Sequence, residues 1–245
     1  MLAMPKNQID EICNFANIAD KEARSDLVGG YIAGENDYTS NFTGALRRII
    51  NSNSHTGLSA SSYVLSPPEE RLSGCDATIV ITSNNHFKIA TFEAKYPRIS
   101  QAYYSWDYAQ TSTGLSHFSD QIERQKRFAG LHAIFEMFYC EMPYGTQPPY
   151  MQNEVSSCVW HDDAVIFENG RSSSKQVWSS SDLVALLTAG NHPIDHILRE
   201  VCNCSRGKPQ RCFGDVPTIA KEFSIYGQIL HIAAQEEINL PRPQQ

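Results

Sequence analysis

Hydrophobic residues recur along this chain in two rhythms, and the switch from one rhythm to the other predicts its elements. Between residues 6 and 20, Ile9, Ile12, Cys13, Ala16 and Ala19 fall at three- and four-residue spacings among Asp10, Glu11, Asn14 and Asp20, the pattern of a short amphipathic helix. Phe42, Leu46, Ile49 and Ile50 form a second helical stripe, with Glu35 and Asp37 at its front and Arg47 and Arg48 at its back, a polarity that suits the helix dipole. Residues 51–73 are rich in Ser, Asn and Pro around Tyr63-Val64-Leu65, which predicts a loop, one strand and another loop. The stripe Phe118, Ile122, Gln125, Phe128, Ala129, His132, Phe135, Tyr139 predicts one long helix over 117–140, capped at Ser116 or Ser119 and ended by Pro143, Pro148 and Pro149. Further strands are predicted at 155–160 and 164–167, a helix at 182–189 and a terminal helix at 219–237, with a frayed tail over 240–245.

The clearest segment has the other rhythm. Cys75-Asp76-Ala77-Thr78-Ile79-Val80-Ile81-Thr82 is β-branched and apolar, Ser83-Asn84-Asn85-His86 is a turn signal, and Phe87 to Lys95 returns as a second strand stopped by Pro97. A turn centred between Asn84 and Asn85 pairs residues whose numbers sum to 169. Thr78 then opposes Thr91, Val80 opposes Ile89, Thr82 opposes Phe87, and Asp76 opposes Glu93. Directly opposed residues share a face, and Lys95 lies on that same face two residues beyond Glu93. Two acids and a lysine therefore converge at one end of a hairpin.

The order of elements predicts a mixed α/β or α+β domain, a central mixed sheet flanked by helices with extra helices at both termini. With 245 residues, 41% of them hydrophobic, the chain is long enough for one sizeable core, read as a single domain over 1–245. Its core spans about 30–190, and a Cys-rich, basic loop and a helix occupy about 191–245. The net charge of −7 excludes a binder that holds nucleic acid by a positive field over its whole surface, yet allows a local basic cleft. No apolar run approaches the roughly 18 residues of a membrane span, and Met1 to Lys6 lack a basic flank followed by an apolar run, so a cytoplasmic protein without a membrane partner is expected. Seven cysteines without framework spacing are read as reduced thiols.

Opposed carboxylates repel, so Asp76 and Glu93 need a cation or a proton between them. Mg²⁺, with Mn²⁺ as its substitute, takes oxygen ligands and suits two carboxylates with a backbone carbonyl, here that of Ala94. A lysine beside such an ion orients an attacking water and stabilises a crowded phosphate.

Asp76, sixteen intervening residues and then Glu93-Ala94-Lys95 resemble the active-site motif of the PD-(D/E)XK nuclease superfamily, the restriction-endonuclease-like fold. Cys75 stands where the motif has its proline. The resemblance covers about residues 30 to 135. It implies Glu35, Asp76 and Glu93 as metal ligands, with Asp37 as the alternative helix acid, Lys95 as the water-positioning lysine, and Gln121 or Gln125 as a supporting glutamine. The implied function is a metal-dependent endonuclease that hydrolyses DNA phosphodiester bonds, as in restriction or anti-phage defence. Cutting a duplex takes two cuts, so a homo-oligomer or a partner subunit is expected. The alternatives are a non-catalytic binding or assembly module of the same fold, and a nuclease of junctions or RNA.

Other features fit weaker chemistry. Cys202, Cys204 and Cys212 with His196 would give structural Zn²⁺ three thiolates and an imidazole, although Cys-x-Cys is not the usual knuckle spacing. Arg206, Lys208 and Arg211 form the tight basic cluster of the chain, a solvated loop or a contact to phosphates. His161-Asp162-Asp163 reads as turn chemistry between two strands, and Tyr103, Tyr104, Trp106 and Tyr108 form an aromatic run that lines a groove or an interface. Neither a nucleophile elbow nor a phosphate-binding Gly-rich loop ending in Lys is present.

Overall fold

A computed structural model describes residues 2, 4–64, 74–101, 105–212, 214–225 and 227–235. Tyr103, Tyr104, Leu65 and the tail over 240–245 lie outside them. Helices α1 (Lys6–Val28) and α2 (Glu35–Asn53) run on from the two predicted stripes and are followed by β1 (Leu58–Val64). The hairpin is β2 (Ala77–Ser83) and β3 (His86–Lys95), joined through Asn84 at φ 52°, a conformation that asparagine tolerates. Its register is the predicted one, with Thr78 opposite Thr91, Val80 opposite Ile89 and Thr82 opposite Phe87.

The chain departs from the expected long helix after Gln125. Helix α3 (His117–Gln125) passes through a 3₁₀ turn (Lys126–Phe128) and Gly130, at φ 81°, into strand β4 (Ala133–Phe138), which pairs parallel to β3. Every β4 residue is buried, so the strand reads as an unbroken apolar run, and periodicity alone does not separate such a run from a buried helix. Strand β5 (Ser157–Trp160) follows, but 164–167 belongs to helix α4 (His161–Gly170) and not to a strand; His161, Asp162 and Asp163 are its first turn. Helices α5 (Ser180–Ala189) and α6 (Ile194–Cys202) come next, then the two-residue strand β6 (Gln210–Arg211). The expected terminal helix over 219–237 is instead helix α7 (Val216–Glu222), with Pro217 in its first turn, followed by strand β7 (Gln228–Ala234).

Among the described residues the seven strands form one mixed sheet in the order β1-β7-β2-β3-β4-β5, with β6 on β3, and seven helices flank it. β7 lies between β1 and β2, parallel to β2, so the C-terminal segment is built into the sheet. Alternate residues separate the two layers. Ile79, Ile81, Phe92, Phe135 and Ile232 face a core shared with α1, α2 and α6, while Phe138 and Val159 face α3, α4 and α5, and Val80, Ile89 and Ile229 face α7. No helix of the described residues is long and apolar enough to cross a membrane.

Candidate active site

The parity that buries Phe92 and Ala94 against α2 turns Glu93 and Lys95 to the other face, toward α3. Asp76 stands one residue before β2. Its N–H donates to the Phe92 carbonyl at 2.9 Å, and its Oδ2 accepts from the Ala94 N–H at 2.8 Å, which continues the hairpin register and holds it beside Glu93. Glu35 arrives from the opposite layer as the first residue of α2, and its Oε1 accepts from the Tyr96 N–H at 2.8 Å, just past the end of β3. The Asp37 carboxylate is exposed and turns back toward the Ala33 N–H, 3.4 Å away. Glu35 is thus the helix acid on the sheet side.

Glu35, Asp76, Glu93, Lys95 and Gln121 line one cleft of about 330 Å³, with Arg98 and His117 at its walls. A second hollow of about 220 Å³ shares Asp76, Glu93, His117 and Gln121 and extends past Gly74 to Arg124. Gly74 is fixed by packing as well as by its φ of 70°: a Cβ there would lie 2.8 Å from the Gln121 carbonyl oxygen, so only glycine lets this loop meet α3.

Glu93 Oε1 accepts from Lys95 Nζ at 2.6 Å and from the Gln121 amide. Burial raises the Glu93 carboxyl well above the usual carboxylate range, and the neighbouring Asp76 charge adds to that against the pull of Lys95. Burial works against the Lys95 ammonium too, but Glu93, Glu35 and Asp76 more than offset it, and Lys95 holds its proton above the usual lysine range. Three carboxylates against one ammonium leave these four side chains a formal −2, the charge that one divalent cation cancels.

The donor set suits a hard cation: carboxylate oxygens, with Ala94 between the two functional side chains of β3. The side chains as they stand are arranged for one another, and among the described residues no three Asp, Glu, His or Cys groups gather closely enough to hold a metal ion. That includes Cys202, Cys204 and Cys212. Cys202 is buried in the α1 core and Cys212 is exposed beyond β6, so the structure does not gather a zinc site there.

Of the two candidate glutamines, Gln121 reaches the site. Gln125 is fully buried and points elsewhere, donating to the Gly74 carbonyl at 2.7 Å and facing His161 Nδ1 at 2.8 Å. From the aromatic run, Trp106 is buried against Phe118 and Phe138, and Tyr108 is exposed and stacked on His117 at the cleft. Asp107 was not singled out by the sequence, yet it is buried and ties the cleft wall together. Its carboxylate accepts from the Ser116 hydroxyl at 2.7 Å, the Phe118 N–H at 3.0 Å and the Trp178 N–H at 2.9 Å. An acid followed by a Ser N-cap nine residues on was the available signal. No family model, no curated protein and no solved structure matches this chain.

Proposed function

We propose that this protein is a divalent-metal-dependent endonuclease acting on DNA, on a restriction-endonuclease-like fold. The observation that carries the reading is the convergence of Glu35, Asp76, Glu93 and Lys95 on one cleft, from a helix end, a strand start and a strand end. Two further features support it. The acid-bearing helix, the hairpin, the glutamine-bearing helix and a strand parallel to β3 follow in that chain order, with β1 between the first two, and Arg98 and Arg124 flank the acids in the two adjoining hollows, where a phosphate backbone would run.

Glu35, Asp76, Glu93 and the Ala94 carbonyl would hold Mg²⁺ or Mn²⁺, which when bound supplies charge neutralisation at the phosphate and a more acidic water. The chain does the rest. Lys95 keeps its proton and donates a directed hydrogen bond at the phosphate-facing end of β3, which suits positioning and charge stabilisation better than proton abstraction. Gln121 donates to the same Glu93 oxygen as that ammonium and so holds the carboxylate beside it, and the buried floor around Phe118 keeps bulk water from screening the pair. Cleavage of both strands calls for two such sites, hence a homo-oligomer or a second subunit.

The test is cleavage of supercoiled plasmid by the purified protein with Mg²⁺, Mn²⁺ or EDTA, beside Glu93→Ala. Metal-dependent nicking lost in the variant is the expected result; a Glu93→Ala protein that cuts at the wild-type rate overturns the assignment. One observation favours a non-catalytic module instead, the occupation of Glu93 by Lys95 and Gln121 together. On that reading neither metal raises the melting temperature, whereas a working site gains stability from its ligand by mass action.

A further inference from the structure

One ring of the aromatic run that follows β3 stands in the wall of the acid-lined cleft and has no part in the chemistry proposed there. Of the exposed large apolar side chains among the described residues, Tyr108 alone lines that cleft, and it is 58% exposed. Single exposed rings are ordinary on a protein surface, so what matters at Tyr108 is its place. The ring lies flat on that of His117, with centroids 4.6 Å apart and planes 14° from parallel, which covers one face of the tyrosine and leaves the other to solvent.

This wall is built before any ligand arrives. The His117 N–H donates to the Tyr108 carbonyl at 2.9 Å, the Gln110 N–H to the Leu115 carbonyl at 2.8 Å, and Ala109 bridges Ser116, so residues 108–117 form a narrow antiparallel ribbon. Its base is anchored by the Asp107 carboxylate, which holds Ser116, Phe118 and Trp178, and by Trp106, whose Nε1–H donates to the Ser179 carbonyl at 3.2 Å. A ring fixed on a paired ribbon has little conformational freedom left to lose when a ligand stacks on it.

The open face takes a flat partner. Burial, with the Lys95 and Arg124 charges, holds His117 below the usual histidine range, so at neutral pH the stacked pair is uncharged and offers a phosphate no charge to rest on. A nucleobase stacks on such a face whatever its sequence. In an intact duplex the faces of each base are covered by its neighbours and the grooves offer only base edges. Freeing a base from a duplex costs unstacking and unpairing, and the cost is least in a strand that is already single. The floor of the cleft adds a second restriction. Glu93, Lys95 and Gln121 are 2%, 5% and 6% exposed, so a phosphate has to descend to them. A cleft of about 330 Å³, at the small end of the range for ligand sites, admits about one nucleotide and leaves no room for a paired strand beside it.

We infer that the site takes DNA in single-stranded form, with one unpaired base stacked on the open face of Tyr108 while the adjoining phosphate descends to Glu35, Asp76 and Glu93. The inference rests on the nuclease reading and names the form of DNA that the cleft accepts. Tyr108 holds the strand and so determines specificity, whereas the acids and Lys95 act on the phosphate. Negatively supercoiled plasmid, whose torsion favours opening of the duplex, is then cut through its unpaired stretches.

The test reads binding apart from cleavage. Fluorescence anisotropy of the full chain in Ca²⁺, which takes oxygen ligands as Mg²⁺ does, compares a labelled DNA single strand, the same strand annealed to its complement, and a strand of abasic units. The single strand is expected to bind at least about tenfold more tightly than the duplex, with Tyr108→Leu weakening it about tenfold, the scale of one stacked base, and Tyr108→Phe restoring it. The abasic strand is expected to bind the wild-type protein and Tyr108→Leu alike, because it has no base to stack. Both variants are expected to melt at the wild-type temperature, since the side chain is exposed. Duplex bound as tightly as single strand, an affinity for single strand unmoved by Tyr108→Leu, an abasic strand bound as tightly as the ordinary one, or no binding of any probe overturns the inference. Plasmid cleavage decides the nuclease reading separately: a protein that cuts in Mg²⁺ and loses the cut in Glu93→Ala keeps that reading even where these binding results fail.

Discussion

Glu93 and Glu136 are register partners on adjacent parallel strands, and both are buried in the same layer, yet their surroundings have opposite characters. Glu93 touches an ammonium, shares its end of the hairpin with a second carboxylate and opens on a cleft. Glu136 meets the Gln125 amide at 3.4 Å and the His161 ring at 3.6 Å, and lines neither hollow of the acid site. Burial alone does not mark chemistry. What distinguishes Glu93 is a second carboxylate and an opening beside it, a crowding of acids that binding of a cation would relieve.

The sharpest way to break this comparison is to remove each carboxylate in turn. Glu93→Ala and Asp76→Ala are expected to lower plasmid cleavage by at least about 100-fold, the scale of losing a group that acts on the reacting phosphate. Glu136→Gln keeps the shape and the amide contacts and is expected to stay within about threefold of wild type. Equal losses from Glu93→Ala and Glu136→Gln, in proteins of equal melting temperature, would make the two carboxylates one site.

Next in size is a stability effect. Lys95→Met leaves Glu93 buried beside Asp76 with its cation gone, and removing one partner of a buried pair costs about 3 to 5 kcal/mol. Urea unfolding at pH 7 reads it. Glu93→Gln in the same chain is expected to recover most of the loss because the orphaned charge disappears, and a double variant as unstable as Lys95→Met alone would show that packing against Phe118, and not charge, sets the cost.

The hairpin was legible because its physics is local. A two-residue turn and a period of two fix the register, and the register alone places Asp76, Glu93 and Lys95 on one face. The neighbouring segment was not legible, because Phe128, His132, Phe135 and Tyr139 mimic a helical stripe while β4 is buried on both faces, and burial on the second face comes from helices distant in sequence. Buried polar side chains were lost for the same reason. Asp20 reads as solvent-facing on α1, yet it is fully buried, accepting from the Tyr38 hydroxyl at 2.7 Å and the Ser156 N–H at 2.6 Å.

A smaller effect sharpens the Glu136 side. Gln125→Leu keeps the volume but leaves the Gly74 carbonyl and His161 Nδ1 without their partner, an expected loss of about 1 to 3 kcal/mol in urea unfolding. Because the Gly74 carbonyl lies two residues before Asp76, cleavage is expected to fall several-fold while Glu93 and Lys95 stay paired. A Gln125→Leu protein with unchanged stability would mean that water replaces the amide.

The smallest effect is a pH dependence. The Glu93 carboxyl is raised in the folded protein by burial and by Asp76, so its contribution to stability is full below its unfolded value of about 4.3 and is lost as pH rises through the raised folded value. A bound divalent cation favours the ionised form and opposes that loss, whereas at lower pH it must first displace the proton. The gain in melting temperature from Mg²⁺ is therefore expected to be larger at pH 8.5 than at pH 6, by at most about 1.4 kcal/mol for each pH unit over which that proton is displaced. Differential scanning calorimetry with Mg²⁺ or EDTA at the two pH values measures it, and Glu93→Gln should erase the difference between them. A pH-dependent gain that survives Glu93→Gln would take the titrating role away from Glu93, and would leave it, like Glu136, a buried carboxylate held by its neighbours.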